Sequence, residues 1–64
     1  MQTVIEFREG LDTPVLLEQY ANGRFRVVYG KDITSNLTYE DACTSLGAAL
    51  MHSLACKGSL RVVE

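Results

Sequence analysis

His52 and Cys56 stand four residues apart within Ala42 to Cys56, a stretch that reads ACTSLGAALMHSLAC. On a helix this spacing puts an imidazole and a thiol on one face, as for two ligands of one metal ion or a Cys-His nucleophile pair. Zinc takes three or four protein ligands, and one pair does not reach that count. His52 is the sole histidine, there is no Cys-x-x-Cys, and Cys43 would point to the opposite, core side of the same helix. The pair therefore reads as a small half-buried cysteine beside a surface or interface histidine, and neither metal nor cofactor is expected.

The carboxylates Glu6, Glu9, Asp12, Glu18, Asp32, Glu40, Asp41 and Glu64 are scattered along the chain. Only Glu18 falls on an expected core face, where it should sit at the sheet rim or pair with an arginine. No Gly-x-Ser-x-Gly, phosphate-binding glycine loop or paired-carboxylate motif is present. A chain of 64 residues also has little material to wall a ligand pocket of about 300 Å³ or more. No catalytic residue is assigned, and the chain is expected not to be an enzyme.

Arg24 and Arg26, with Arg8 and Lys31 nearby, form the best candidate for nucleic-acid contact. A three-stranded sheet backed by one helix can lay its strands in a DNA major groove. Against this, six basic residues face eight acidic ones for a net charge of −2, and DNA affinity rests largely on phosphate neutralisation. Nucleic acid is thus the second reading, behind a protein partner.

The feature that favours a protein partner is the absence of charge. From Ala42 to Cys56 no side chain is formally charged at neutral pH, whereas an ordinary surface helix carries charge on its outer face. Thr44, Ala48, Met51 and Ala55 align opposite the expected core stripe, beside Gly47 and with His52 at the edge. Small residues let another backbone come close, and methionine adapts to irregular surfaces. These six residues are the expected protein interface, used for a homodimer or a tight heteromeric complex.

The elements that position them follow from local signals. Gln2 to Arg8 alternates in the manner of a strand. Glu9 to Pro14 has the composition of a loop. Val15 to Tyr20 and Arg24 to Tyr29 are β-rich runs around Asn22-Gly23, the dipeptide of a two-residue type I′ hairpin. That turn would pair Tyr20 with Phe25, Glu18 with Val27 and Leu16 with Tyr29, giving a core face of Leu16, Tyr20, Phe25, Val27 and Tyr29.

Gly30-Lys31-Asp32 reads as a strand break, and Ser35-Asn36 as the approach to a helix. Thr38 is the expected N-cap, with Glu40 and Asp41 in the first turn, and Lys57-Gly58 is the stop. Tyr39, Ala42, Cys43, Leu46, Ala49, Leu50 and Leu54 would form the core stripe. Leu60 to Val63 reads as a last short strand.

The expectation is an α+β fold: one helix across one face of a mainly antiparallel three- to four-stranded sheet, in the order β-β-β-α-β, forming a single domain over residues 1–64. That order, with its helix opening Thr-Tyr-Glu-Asp-Ala, resembles the N-terminal halves of HicB-like antitoxins in outline, though no specific motif is shared and the chain is assigned to no family. Cys43 and Cys56 are thirteen residues apart, about 20 Å along a helix, which rules out a bridge between them and suggests a reducing compartment. The start has no signal-peptide pattern and the neutral stretch is too short and polar for a membrane span, so a cytoplasmic location is expected. The functional expectation is a small stoichiometric inhibitor, antitoxin-like protein or accessory regulator of bacterial or phage origin, with a structural subunit of a larger assembly as a further alternative.

Overall fold

The computed structural model describes residues 3–61 and Val63. Four strands, β1 (Thr3–Phe7), β2 (Val15–Gln19), β3 (Phe25–Tyr29) and β4 (Asp32–Leu37), precede one helix, α1 (Tyr39–Lys57). They form an antiparallel sheet in sequential order, and the helix lies over β2, β3 and β4, leaving β1 at the edge. The α+β class is as expected. The order is not: it is β-β-β-β-α, because the fourth strand comes before the helix.

That strand is Asp32–Leu37, the segment read from sequence as a break. Its polarity is the polarity of an edge, since every residue of β4 except Leu37 is exposed and polar edges resist unwanted pairing. Gly30 (φ 60°) opens a two-residue turn that places Tyr29 opposite Asp32, as a type II′ hairpin requires of its first central residue. Near its end β4 carries an extra residue. Register shifts between Phe25 and Val27, and Asn36 takes φ 58°, a conformation asparagine tolerates better than most residues. After the helix, Leu60, Arg61 and Val63 are not in a strand, and Val62 lies outside the described residues. Instead the chain is held to the β1–β2 loop, where the Ser59 hydroxyl donates to the Gly10 carbonyl at 2.6 Å.

The β2–β3 hairpin is one residue out of the expected register. Gly23 N–H donates to Tyr20 C=O and Tyr20 N–H to Arg24 C=O, so the loop holds three residues: a turn through Ala21 and Asn22, followed by Gly23 at φ 87°. This is the type I turn with a left-handed closing residue, in which Asn22 needs no positive φ. Leu17 consequently pairs with Val27 and Glu18 with Arg26. A one-residue slip exchanges the faces of a strand. Val15 and Leu17 face the helix with Phe25, Val27 and Tyr29, while Leu16, Glu18 and Tyr20 lie on the open side.

Between sheet and helix, Leu11, Val15, Val27 and Ala49 form the buried cluster, closed by Phe7, Leu17, Tyr29, Leu37, Leu46, Leu50 and Leu54. Thr38 caps the helix as expected, its Oγ1 accepting from Asp41 N–H at 3.2 Å. Gly58 ends it in the left-handed conformation, with Gly58 N–H donating to Ala55 C=O and Ser59 N–H to Leu54 C=O. The helix is rotated slightly from the expected stripe. Ala42, Ala49 and Ser53 are its buried residues, whereas Cys43 is exposed and Tyr39 is 72% exposed, its ring edge-on to Phe25 at 6.2 Å. The accessible surface is 4646 Å², more than the roughly 4,100 Å² that size scaling gives for a compact monomer of this mass.

Candidate functional site

Cap and core together set the rotation of α1. With Ala42, Leu46, Ala49 and Ser53 turned to the sheet, Thr44, Gly47, Ala48, Met51 and Ala55 come to the outside, and all five are exposed. Met51 is 57% exposed. The Thr44 hydroxyl donates to the Glu40 carbonyl, so even this polar group is turned back onto the helix. Charge on α1 is confined to its ends: Glu40 and Asp41 in the first turn and Lys57 in the last.

On one flank of this strip lie His52 and Cys56, both exposed. Cys56 Sγ is 3.6 Å from His52 Nε2. The His52 ring stands edge-on to Tyr29, with ring centroids 5.8 Å apart and planes at 79°. Burial, with the Cys56 thiol close by, pushes the Tyr29 phenol above its ordinary range. Among the described residues, no group of three or more His, Cys, Asp or Glu side chains is placed to hold a metal ion. Cys43 is on another side of the helix, where it helps line a hollow of about 70 Å³ with Leu17, Phe25, Tyr39, Ala42 and Leu46. That hollow is far below the size of common ligand pockets.

The open face of the sheet is organised around Glu18 and Arg26. Glu18 is only 8% exposed, and Arg26 Nε donates to its Oε1 at 2.5 Å. This bond, the largest influence on Arg26, raises its already high pKa. The guanidinium also lies 5.8 Å from the Tyr20 ring centroid, within cation–π range. Arg24 shares the face and reaches the Asn36 carbonyl at 3.5 Å, and Glu6 pairs with Arg8 at 2.7 Å. Around these charges stand Val4 and Ile33, 57% and 59% exposed, with half-buried Leu16 and Val28 between them. The structure thus brings Arg24 and Arg26 to one face but commits Arg26 to Glu18.

Ser53 escaped the sequence reading. It is fully buried and joins the helix to the β1–β2 loop, and the available signal was one hydroxyl within the apolar stripe. No helix among the described residues is long and apolar enough to cross a membrane. In comparisons with known proteins, no family model, curated protein or solved structure matches this chain.

Proposed function

We propose that the chain is a non-enzymatic protein-interaction module that acts by stoichiometric binding through the outer face of α1. One observation supports this above all. Thr44, Gly47, Ala48, Met51, His52 and Ala55 are exposed together on a helix with no charged side chain from Ala42 to Cys56. A contiguous, nearly uncharged strip on a small domain is the surface that association removes from water at least desolvation cost. Homodimerisation is the simplest form, because the same strip on two copies is self-complementary about a two-fold axis. The setting that fits a module of this size is an inhibitor, antitoxin-like protein or accessory regulator in a bacterial or phage-infected cytoplasm.

Sedimentation equilibrium at micromolar concentration tests the homotypic form. A mass above that of the monomer is expected, and a chain that remains monomeric overturns it.

Nucleic-acid binding by the open sheet face is the second reading, favoured by Arg8, Arg24 and Arg26 lying on the same side of the sheet. Glu6 and Glu18 interleave with them and lower the phosphate-neutralising charge. A salt titration separates the two readings: a phosphate-driven complex weakens steeply between low and physiological salt, while an apolar helix contact does not.

A further inference from the structure

We propose that the free edge of β1 is a docking site for an extended segment of a partner protein, which joins the sheet as a fifth strand and sets an apolar residue against Ile5 and a basic one against Glu6. This surface is separate from the outer strip of α1, and neither reading needs the other.

The two edges of the sheet are built differently, and that contrast carries the argument. An edge strand offers unpaired N–H and C=O groups to any second chain, so folded proteins blunt their edges with polar side chains, bulges or a covering element. β4 is blunted in two of these ways. Asp32, Thr34, Ser35 and Asn36 are exposed, and the register slips at an extra residue where Asn36 turns to φ 58°. β1 has neither device. It pairs with β2 without interruption, from Thr3 opposite Gln19 to Phe7 opposite Val15. The strand contains no proline, glycine or lysine, and its single charge is Glu6. Nor is it covered, because α1 lies over β2, β3 and β4 and does not reach β1.

Side chains on both faces of β1 are open as well. Val4, opposite Glu18, is 57% exposed on the open face, and Ile5, opposite Leu17, is 45% exposed on the helix side. An edge also dictates the conformation of whatever covers it. Its outward N–H and C=O groups recur along every second residue, and only an extended backbone meets them in step. Strand addition draws affinity from those main-chain bonds and specificity from alternate side chains. Charge selects one of those side chains. The Glu6 carboxylate is held only by Arg8, whose own side chain is 70% exposed, so a lysine or arginine on the incoming strand finds Glu6 within cross-strand reach. On the other face a β-branched residue covers Ile5.

The test uses the full chain, with heptapeptides displayed on phage as the probe. Selected sequences should alternate, carrying β-branched apolar residues at every second position and a lysine or arginine between them. With a selected heptapeptide added, hydrogen exchange followed residue by residue should slow at alternate amides of β1, and not on β4 or the outer strip of α1. N-methylation of the peptide at alternate residues should weaken binding about tenfold per lost bond in one parity and leave it unchanged in the other. That comparison leaves the protein unaltered. Ile5→Lys should weaken binding about fivefold with unchanged far-ultraviolet circular dichroism, whereas Ile33→Lys and Ala48→Glu should bind as the wild type does. No enriched sequence, binding indifferent to the position of the N-methyl groups, or protection that falls on β4 or α1 overturns the proposal. So does a free chain whose outward β1 amides are already protected: protection that persists on dilution assigns the edge to the chain's own residues, and protection lost on dilution assigns it to a second copy. Failure of the helix-face reading shows separately, as a chain that stays monomeric in sedimentation equilibrium.

Discussion

Ser53 grips both sides of the Thr13 peptide: its Oγ accepts from Thr13 N–H at 2.9 Å and donates to Thr13 C=O at 2.7 Å. A third bond, Asp12 N–H to Ser53 C=O at 3.2 Å, closes the same junction. One hydroxyl therefore does for the β1–β2 loop what a short ladder would do, bridging residues forty apart in sequence. Replacing Ser53 with Ala strands a partly buried donor and acceptor, and should cost about 1–3 kcal/mol. Urea unfolding monitored by circular dichroism measures the loss, and hydrogen exchange should quicken at Thr13 before it does in β3. An unchanged midpoint would show that water replaces the hydroxyl.

Arg26 and Glu18 should display strong coupling. Removing one partner leaves the other without its counter-charge, and Glu18 is the more buried of the two, so Arg26→Met is expected to lower the urea midpoint. The double variant Glu18→Leu with Arg26→Met should recover most of that, because an apolar pair of similar volume suits the neighbourhood of Leu16 and Val28. Additive losses in a double-mutant cycle would contradict the pairing.

At Gly23 the backbone alone is at stake. A Cβ there meets nothing within 4 Å, yet φ is 87°. Gly23→Ala should thus cost about 1 kcal/mol through left-handed strain, and Gly23→Asn less. Equal stability of all three chains in thermal unfolding would show that Gly23 is not held at positive φ.

Tyr29 predicts the alkaline behaviour. Burial raises its phenol above the ordinary value of 10.0, so the folded chain holds that proton more tightly than the unfolded chain does. Its contribution to stability is complete below the unfolded value and is lost as pH rises through the folded one. The wild type should therefore weaken above about pH 10, and Tyr29→Phe should flatten that part of the profile. Stability measured by urea titration across alkaline pH decides it, and identical slopes for the two chains would refute the assignment.

Ala48→Glu addresses association. It places a charge in the uncharged strip, where a two-fold contact would oppose it with its own copy and desolvation would be costly. The fold should persist, because Ala48 is exposed and lies away from Ala42, Ala49 and Ser53. Normal dimerisation of this variant in sedimentation equilibrium would remove the outer helix face from consideration.

What could be read from the chain were its short-range signals. Thr38 and Gly58 bound the helix because capping bonds span only three to five residues, and the runs around Ile5, Val15 and Val27 marked three strands through side-chain type alone. The uncharged strip was legible for the same reason, since helical spacing converts sequence directly into a face. Pairing was not. Asn22-Gly23 suits a two-residue turn and a three-residue one almost equally, and the choice depends on whether Val15 or Leu16 is buried, a sum of contacts made with a helix thirty residues away. Asp32 to Asn36 is too polar to announce a strand and becomes one because β3 offers it an edge. Ser53 looks like a tolerable helix surface residue until the Thr13 peptide is laid against it. The distance between Cys56 Sγ and His52 Nε2 also needed coordinates, because spacing shows a shared face whereas only the side-chain conformations show how closely the two atoms stand.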